Sequence, residues 1–171
     1  MRMTMIERYL YSPWRMDYIM GDTPDDCVLC RFKNEGKDRE NLIVHRGKHV
    51  YVVINLYPYN NGHLMVVPYA HESNLSDLDD ATLLELMQLT QVCEQIFKQQ
   101  YDVEGINIGI NLGKAAGAGI ASHLHLHAVP RWIGDDNFMC VIGGRRVIPE
   151  AFEDAWQRLH TAFANYFADK E

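Results

Sequence analysis

Three histidines occupy every second position in the segment ASHLHLHAVPRW, residues 121–132: His123, His125 and His127. In a β-strand, residues two apart lie on the same face, roughly 6.5–7 Å from one another along the backbone. The spacing therefore predicts a strand that directs three imidazoles to one side and apolar residues to the other. Because the whole chain has only 8 histidines among 171 residues, its composition alone does not explain such an alternation.

The pattern of apolar residues in the rest of the chain predicts further strands and two main helices. The predicted strands are about Lys48 to Leu56, HLMVVP, GINIGINLG, HLHLHAVPRW and FMCVIGG. One helix is predicted in residues 74–101, and a second over about 149–168 with Pro149 at its start. Strands joined by turns, with helices between and after them, predict an α+β fold with a mostly antiparallel five-stranded sheet.

Length and charge limit the classes of protein to which the chain can belong. Its 171 residues fit a single domain, 1–171, in which residues 1–26 are an aromatic-rich arm expected to pack on the domain or on a partner. A net charge of −7 argues against a nucleic-acid partner. No apolar run reaches the roughly 18 residues that span a bilayer, and charges interrupt the N-terminus, so neither a membrane partner nor a signal peptide is expected. We therefore expect a cytoplasmic protein.

The three histidines admit more than one chemical interpretation. A polar strand face without a function is the simplest. Three imidazoles are also the ligand set of a catalytic zinc, but three positions along one strand lie in a line and rarely converge on one ion. A third interpretation gives the histidines different roles: one is a ligand or structural residue, one a nucleophile, and one a proton donor or positioning residue. It fits better, because a neutral imidazole attacks phosphorus well near neutral pH and the resulting phosphoramidate is reactive enough to be cleaved in a second step. We favour this third interpretation.

The run HLHLHAV resembles the H-φ-H-φ-H-φ-φ signature of the histidine triad (HIT) superfamily of nucleotide hydrolases and transferases. The similarity extends to YSPWRMDYI, CVLC, INLYPYNNGHLMVVPYAH, INLG, HAVPRWIGDDNF and GGRRVIPE. Together these segments resemble the branch that contains bacterial diadenosine tetraphosphate phosphorylases. The resemblance implies a HIT-like fold, an enzyme that acts on a nucleotide or dinucleoside polyphosphate substrate, and a homodimer, for which the arm and the C-terminal helix offer apolar surface.

The resemblance also implies a role for two of the histidines. The middle histidine attacks the α-phosphorus in this superfamily, which makes His125 the implied nucleophile, and water or phosphate then resolves the nucleotidyl-histidine. His127 is implied to contact the phosphate or the leaving group and to assist proton transfer. The leading hypothesis is thus a hydrolase or phosphorylase of dinucleoside polyphosphates. The alternatives are a nucleoside phosphoramidase or adenylyl-conjugate hydrolase, and a nucleotide-binding regulatory protein.

Cys27 and Cys30 form a C-x-x-C pair, which indicates metal binding or redox chemistry in a reducing compartment. In zinc-bearing members of the superfamily the first histidine completes a Cys-Cys-His-His site, which implies His71 and His123 as the other two ligands. Four protein ligands define a closed tetrahedral site, so the implied Zn²⁺ is structural rather than catalytic. The alternative is a pair of ordinary thiols beside an empty site.

Further residues are implied to bind the nucleotide. Asn55 is implied at the ribose hydroxyls and His63 near the pocket, although Asn55 also fits a turn cap and His63 a buried strand histidine. The loop of residues 111–122 is the expected phosphate site, because small residues let backbone N–H groups approach the phosphate oxygens. The implied phosphate-binding residues in it are Asn111, Gly117, Gly119 and Ser122.

This loop differs from that of many relatives, which carry a glutamine or a hydroxyl residue three or four positions before the first histidine. Here Gly119 and Ile120 occupy those positions, and Ser122 is the loop's single hydroxyl residue. The sequence therefore does not decide whether water or phosphate accepts the nucleotidyl group. Trp132 follows the triad closely enough to cover the site, but packing in the core or against a partner is the simpler expectation. The candidates for neutralising substrate charge are Lys114 and Arg131.

Overall fold

The computed structural model describes residues 27–136, 140, 142 and 147–170. In chain order these residues form α1 (Val28–Glu35), β1 (Ile43–Arg46), β2 (Val50–Ile54), β3 (Leu64–Pro68), α2 (Asp80–Tyr101), β4 (Gly105–Ile110), β5 (Leu126–Arg131) and α3 (Phe152–Ala168). Single 3₁₀ turns occur at Leu75–Asp77 and Lys114–Ala116. The expected α+β fold with a five-stranded sheet is confirmed. Within the described ranges, no helix combines the length and apolar character needed to cross a membrane.

The sheet has the strand order β1-β2-β3-β5-β4, and its neighbouring strands are antiparallel throughout. β5 therefore lies inside the sheet, between β3 and β4, whereas β4 is an edge strand. The register places His127 opposite Met65 on one side and opposite Gly109 on the other. One histidine of the triad is thus fixed in the interior of the sheet by two neighbouring strands.

The two faces of the sheet pack against different helices. Val52 of β2 belongs to the main core, which is formed with α2 and α3, whereas its neighbours Tyr51 and Val53 belong to a smaller core beside α1. This division follows from the alternation of side chains along a strand. His127 lies opposite Met65, a residue of the smaller core, and cross-strand partners share a face. The triad histidine therefore faces α1.

The predicted amphipathic helix is confirmed as α2. Asp79 is its N-cap, and the carboxylate of this residue accepts a hydrogen bond from the backbone N–H of Thr82 at 2.7 Å. The helix ends at Tyr101, and its C-cap Asp102 adopts the left-handed conformation with φ 46°. Its buried apolar residues are Leu86, Leu89, Val92, Cys93, Ile96 and Phe97, which form the face packed on the sheet.

The sheet does not contain all of the strands that the sequence predicts. β1 lies in a segment with no predicted strand, because a register shift between Ile43 and His45 breaks the alternation. The predicted strand FMCVIGG lies mostly outside the described residues, and its described residues Cys140 and Ile142 are helical. The predicted arm, residues 1–26, also lies outside them.

The helices differ from the prediction at two places. α1 occupies a charged stretch for which the sequence predicts no helix. α3 begins at Phe152 with Ala151 as its N-cap, so Pro149 precedes this helix rather than opening it. Both differences concern helix ends or short helices, where local sequence signals are weakest.

β5 begins at Leu126, so His123 and His125 precede the strand on which they were predicted. Pro68, the last residue of β3, has no backbone N–H to donate to a longer β5. Its carbonyl instead accepts a hydrogen bond from Nε2 of His123 at 2.9 Å. The backbone N–H of Leu124 donates to the carbonyl of Glu72 at 2.7 Å rather than to a strand. The prediction of one continuous strand face with three imidazoles is therefore wrong.

Candidate active site and metal centre

A cavity of about 670 Å³ opens on the α1 face of the sheet. Its wall is formed by α1, the segment that leads into β1, the turn between β2 and β3, and the loop before β5. His125 and His127 lie in this wall together with Asn55, Gly119 and Ser122. Residues predicted for the reaction and residues predicted for nucleotide binding are therefore brought to one site.

The hydrogen bond of His125 determines which of its ring nitrogens is available for chemistry. Its Nδ1 lies 2.9 Å from the backbone carbonyl oxygen of His123. Because a carbonyl oxygen only accepts, Nδ1 carries the proton and donates it. Burial lowers the pKa of His125, so the ring is neutral near pH 7. The lone pair of the neutral ring is therefore on Nε2, and this nitrogen is the one available for chemistry.

His127 and His63 form a second hydrogen-bonded pair. Burial lowers the pKa of His63 to about 3 and that of His127 to about 4, so both rings are neutral near pH 7. The backbone N–H of Tyr59 donates to Nδ1 of His63 at 3.0 Å, so the proton of His63 is on Nε2. That Nε2 lies 2.9 Å from Nδ1 of His127 and donates to it. His127 is thereby left with its own proton on Nε2.

Asn55 lies in the cavity wall, but its side chain also holds the turn in which it lies. Its Oδ1 accepts a hydrogen bond from the backbone N–H of Tyr57 at 2.9 Å, and its Nδ2 lies 3.3 Å from Nδ1 of His63. The turn-capping alternative for Asn55 is thus observed. A carboxamide retains a second N–H and a second lone pair after these two contacts, which leaves capacity for a ligand.

Cys27, Cys30, His71 and His123 converge in a cluster whose ligand atoms all lie within 4.8 Å of one another. The Sγ of Cys30 is 3.1 Å from Nδ1 of His71 and 3.4 Å from Nδ1 of His123. The Sγ of Cys27 is also 3.4 Å from Nδ1 of His123. In a tetrahedral zinc site, Zn–S near 2.3 Å and Zn–N near 2.05 Å place neighbouring donors roughly 3.5 Å apart. The four residues are therefore able to hold one metal ion.

The hydrogen bond of His123 fixes which ring nitrogen is able to bind a metal ion. Its Nε2 donates to the carbonyl of Pro68, so the lone pair of the neutral ring is on Nδ1, the atom that faces the thiols. Such a second contact is typical of metal-binding histidines. Burial and the nearby Cys27 raise the pKa of Cys30 to about 11. The thiol therefore keeps its proton at neutral pH unless a bound metal ion displaces it. His123 belongs to this cluster and not to the cavity, which excludes one catalytic zinc held by all three histidines.

Some predicted site residues lie away from the cavity wall. The indole Nε1 of Trp132 donates to the carbonyl of Tyr101 at 3.1 Å, and the two rings pack edge to face. The guanidinium of Arg131 binds Asp135 at 2.7 Å, so its charge is already neutralised. The remaining predicted residues that belong neither to the wall nor to the metal cluster are His63, Asn111, Gly117 and Lys114. Trp132 thus packs against Tyr101, and nucleotide binding by Trp132, Asn111 and Gly117 stays a prediction.

Tyr59 lines the cavity although the sequence pattern predicts only a turn in YPYNNG. Its ring lies 4.6 Å from that of His63 and 5.4 Å from that of His127, measured between centroids. The aromatic wall residue Phe32 comes from α1, which was likewise not predicted. The nearness of Tyr59 to His63 in the sequence is the signal that could have indicated its place.

An α+β domain that carries two neutral histidines in a cavity, beside a cluster of two cysteines and two histidines able to hold a metal ion, has the features of a histidine triad protein. A model of the HIT domain matches residues 37–132, which is more than half of the chain. The chain belongs to the HIT family.

The similarity to individual members covers most of the chain. The AP-4-A phosphorylase of Mycobacterium tuberculosis is 52% identical over 168 residues, which cover 91% of this chain and 84% of that protein. The bis(5'-adenosyl)-triphosphatase of Saccharomyces cerevisiae is 33% identical over 91 residues, which cover 53% of this chain and 44% of that protein. The crystal structure of a Zn-bound histidine triad family protein from Mycobacterium smegmatis is 26% identical, with a TM-score of 0.67 and coverage of 84% of this chain and 96% of that one.

Proposed function

We propose that this protein transfers a nucleotidyl group from dinucleoside polyphosphates through a covalent nucleotidyl-histidine. The observation that carries the proposal is a pair of complementary ring nitrogens in one cavity, Nε2 of His125 with a lone pair and Nε2 of His127 with a proton. A nucleophile beside a proton donor suits displacement at phosphorus. The names of the two relatives, an AP-4-A phosphorylase and a bis(5'-adenosyl)-triphosphatase, support the substrate class.

The proposed reaction has two displacements. In the first, Nε2 of His125 bonds to the α-phosphorus, the bond from this phosphorus to the bridging oxygen breaks, and the polyphosphate leaves as an anion whose oxygen accepts a hydrogen bond from Nε2–H of His127. The cationic phosphoimidazole that results keeps its proton on Nδ1, which donates a hydrogen bond to the carbonyl oxygen of His123. In the second, an oxygen of phosphate or water attacks the phosphorus and the N–P bond breaks, which restores neutral His125. The proton of an attacking water goes to solvent, and His127 keeps its proton throughout.

Phosphate is our preferred acceptor, with water as the alternative. The 52% identical relative is named a phosphorylase, which supports this choice. The cavity wall offers a hydroxyl donor at Ser122 and an accessible backbone at Gly119, beside the two histidines. Hydroxyl and backbone N–H groups are suitable donors for phosphate oxygens. Attack by phosphate yields a nucleoside diphosphate, and attack by water yields a mononucleotide.

For the nucleoside, the supporting residue is Asn55, whose spare N–H and lone pair match the donor and acceptor character of ribose hydroxyls. Apolar side chains of Phe32, Leu42 and Ile54 line the same cavity and offer surface for a base. His63 acts on the proposed reaction through His127 rather than through the nucleotide, because it is buried behind that ring.

We assign the metal cluster to a structural Zn²⁺ held by Cys27, Cys30, His71 and His123. All four positions of a tetrahedral ion are filled by protein donors, which leaves none for substrate. The Zn-bound family member from Mycobacterium smegmatis supports the choice of metal. The ion would link α1 to the residues before β5 and thereby stabilise the fold on the cavity side.

We also propose that two chains pair through the edge strand β4. Ile108 and Leu112 expose 48% and 44% of their surface, and Ile108 points to the same face as the partly buried Ile106 and Ile110 of the main core. An edge strand presents unpaired N–H and C=O groups, and a second copy of the same edge satisfies them.

The cysteines of the described chain are all free thiols, which supports a reducing, cytoplasmic location.

The identity of the products tests the reaction. The purified protein is incubated with diadenosine tetraphosphate, with and without inorganic phosphate, and the nucleotides are separated by chromatography. ADP and ATP that appear only with phosphate establish phosphorolysis, and AMP and ATP establish hydrolysis. Binding in a calorimeter without any product would refute the enzyme and favour a nucleotide-binding protein.

A further inference from the structure

The ring of Tyr59 forms an open aromatic surface at the reactive end of the cavity. It lies against the imidazoles of His63 and His127 and still exposes 42% of the residue's surface. Because the core does not enclose this ring, packing in the core does not explain its position beside the two neutral imidazoles. It lines the cavity that the proposed reaction uses.

The turn that carries Tyr59 is held at several points. The backbone N–H of Tyr59 itself is bonded to His63. The side-chain N–H₂ of Asn60 donates to the carbonyl of Pro130 at 3.1 Å, and that of Asn61 donates to the carboxylate of Glu150 at 3.1 Å. A ring held in place before a ligand arrives loses little conformational freedom on binding, which favours a stacking contact.

The direction of the proposed reaction indicates which part of the substrate meets this ring. His127 donates a hydrogen bond to the leaving oxygen, so the leaving nucleotide extends on the side of the cavity where His127 lies. Tyr59 is the aromatic residue in contact with His127 there. The retained nucleoside is assigned to the wall that contains Asn55 and Phe32. An aromatic ring accepts any base by stacking, because every base has a π-face.

We propose that Tyr59 is a stacking platform for the base of the leaving nucleotide and thereby selects dinucleoside polyphosphates over mononucleoside ones. This inference rests on the proposed function, since it concerns the second nucleoside of the same substrate. Tyr59 would bind that base and take no part in bond making or breaking. Its loss therefore reduces the use of substrates that carry a leaving nucleoside and spares those that do not.

The test compares diadenosine tetraphosphate with adenosine 5'-tetraphosphate. Both give the same adenylyl intermediate, but the leaving group is ATP in the first and triphosphate in the second. For Tyr59→Leu we expect kcat/KM to fall roughly tenfold with the dinucleotide, as for the loss of one stacked base, and to stay unchanged with the mononucleotide. Tyr59→Phe retains the ring face and is expected to match the unmodified protein with both.

Tyr57 offers a matched control because it lies in the same turn and lines the same cavity. Tyr57→Leu is expected to leave the ratio of the two kcat/KM values unchanged. Equal losses with both substrates in Tyr59→Leu would overturn the proposal and show that the ring only supports the histidines. An unchanged ratio in Tyr59→Leu, or the same shift in Tyr57→Leu, would also overturn it. Failure of the proposed function looks different, because the unmodified protein would then release adenylyl products from neither substrate.

Discussion

The Nε2 atom of His63 lies 2.9 Å from the Nδ1 atom of His127, and Nδ1 of His63 receives the backbone N–H of Tyr59 at 3.0 Å. A backbone amide in a turn thus decides, through one intervening imidazole, which nitrogen of His127 carries the proton. His63 is fully buried and lies behind His127 as seen from the cavity. Its contribution to the proposed reaction is to position a proton rather than to transfer one.

Replacing His63 with alanine removes the donor to Nδ1 of His127, so the latter ring is able to hold its proton on either nitrogen. We expect kcat with diadenosine tetraphosphate to fall roughly 100-fold, the lower end of the range for the loss of one hydrogen-bond donor to a developing oxyanion. KM should change little, because His63 does not face the cavity. Steady-state kinetics checks both values.

The control for this substitution is His63→Gln, whose side-chain N–H₂ is able to donate to the same nitrogen and should restore part of kcat. Nitrogen NMR shifts of the His127 ring report the tautomer directly. If His127 kept its proton on Nε2 in His63→Ala and kcat still fell, the positioning role of His63 would be refuted.

The lone pair on Nε2 of His125 makes this residue the expected nucleophile. His125→Ala should lower turnover at least about 10³-fold, because no other group in the cavity takes over covalent catalysis. Nucleotide binding in a calorimeter and the Tm should stay close to those of the unmodified protein. Mass spectrometry of acid-quenched reactions should detect an adenylyl adduct only in the unmodified protein. Substantial activity in the variant would disprove the covalent mechanism.

The residues of the two centres were predicted through the resemblance to the HIT superfamily, which is visible in the sequence because most of these residues lie in short segments with regular spacing. Cys27 and Cys30 are close to one helical turn apart at the start of α1, which directs both thiols to the same side. His123 and His125 come from one short segment, so only His71 has to be supplied from elsewhere. Residues this close in the sequence stay close in space even where the predicted strand is wrong.

The spatial division of the triad could not be read from the same spacing. It depends on Pro68, whose missing N–H ends the ladder and whose carbonyl binds His123. That contact lies 55 positions away in the sequence. The position of Tyr59 likewise depends on side-chain hydrogen bonds from its turn to the backbone of β5 and to Glu150. Such long-range contacts override local patterns, which is also why the irregular strand β1 was not predicted.

The geometry of the metal cluster predicts the behaviour of zinc in the purified protein. Metal analysis should find about one zinc ion per chain, and Cys27→Ala should lose it, because three remaining ligands no longer close the tetrahedron. Binding of the ion adds to the free energy of unfolding, so chelation should lower the Tm by about 2–4 °C for each kcal/mol lost. Cys93→Ala is the control, since this thiol is buried between α2 and the core and should leave the zinc content unchanged. Full zinc content in Cys27→Ala would contradict the assignment.

The dependence of stability on acid pH should reveal that His63 and His127 are both buried and neutral in the folded protein. Burial lowers the pKa of His63 to about 3 and that of His127 to about 4, from 6.5 for an exposed histidine. Below pH 6.5 the unfolded chain binds protons at these residues and the folded protein does not. The free energy of unfolding therefore falls as the pH falls from about 6.5 to about 4, by about 1.4 kcal/mol per pH unit for each histidine. Above pH 6.5 this contribution is complete.

Urea unfolding at a series of pH values between 7 and 4 measures this slope. His63→Gln removes one of the two groups, so its free energy of unfolding should depend less steeply on pH, by about one proton. Carboxyl groups that titrate in the same range are common to both proteins and cancel in the comparison. Identical slopes would show that His63 is not held neutral by burial.

The edge position of β4 predicts how the chain assembles. Ile108 points to the same sheet face as the core residues Ile106 and Ile110, yet 48% of it remains exposed because the helices of its own chain do not cover it. A charge at this position would be desolvated at the interface between two β4 edges, so Ile108→Asp should convert a dimer to a monomer in light scattering. Leu84→Asp is the control, since Leu84 exposes 60% of its surface on α2, away from the edge. The control should retain the mass of two chains. Dimers in Ile108→Asp, or monomers in Leu84→Asp alone, would place the interface elsewhere.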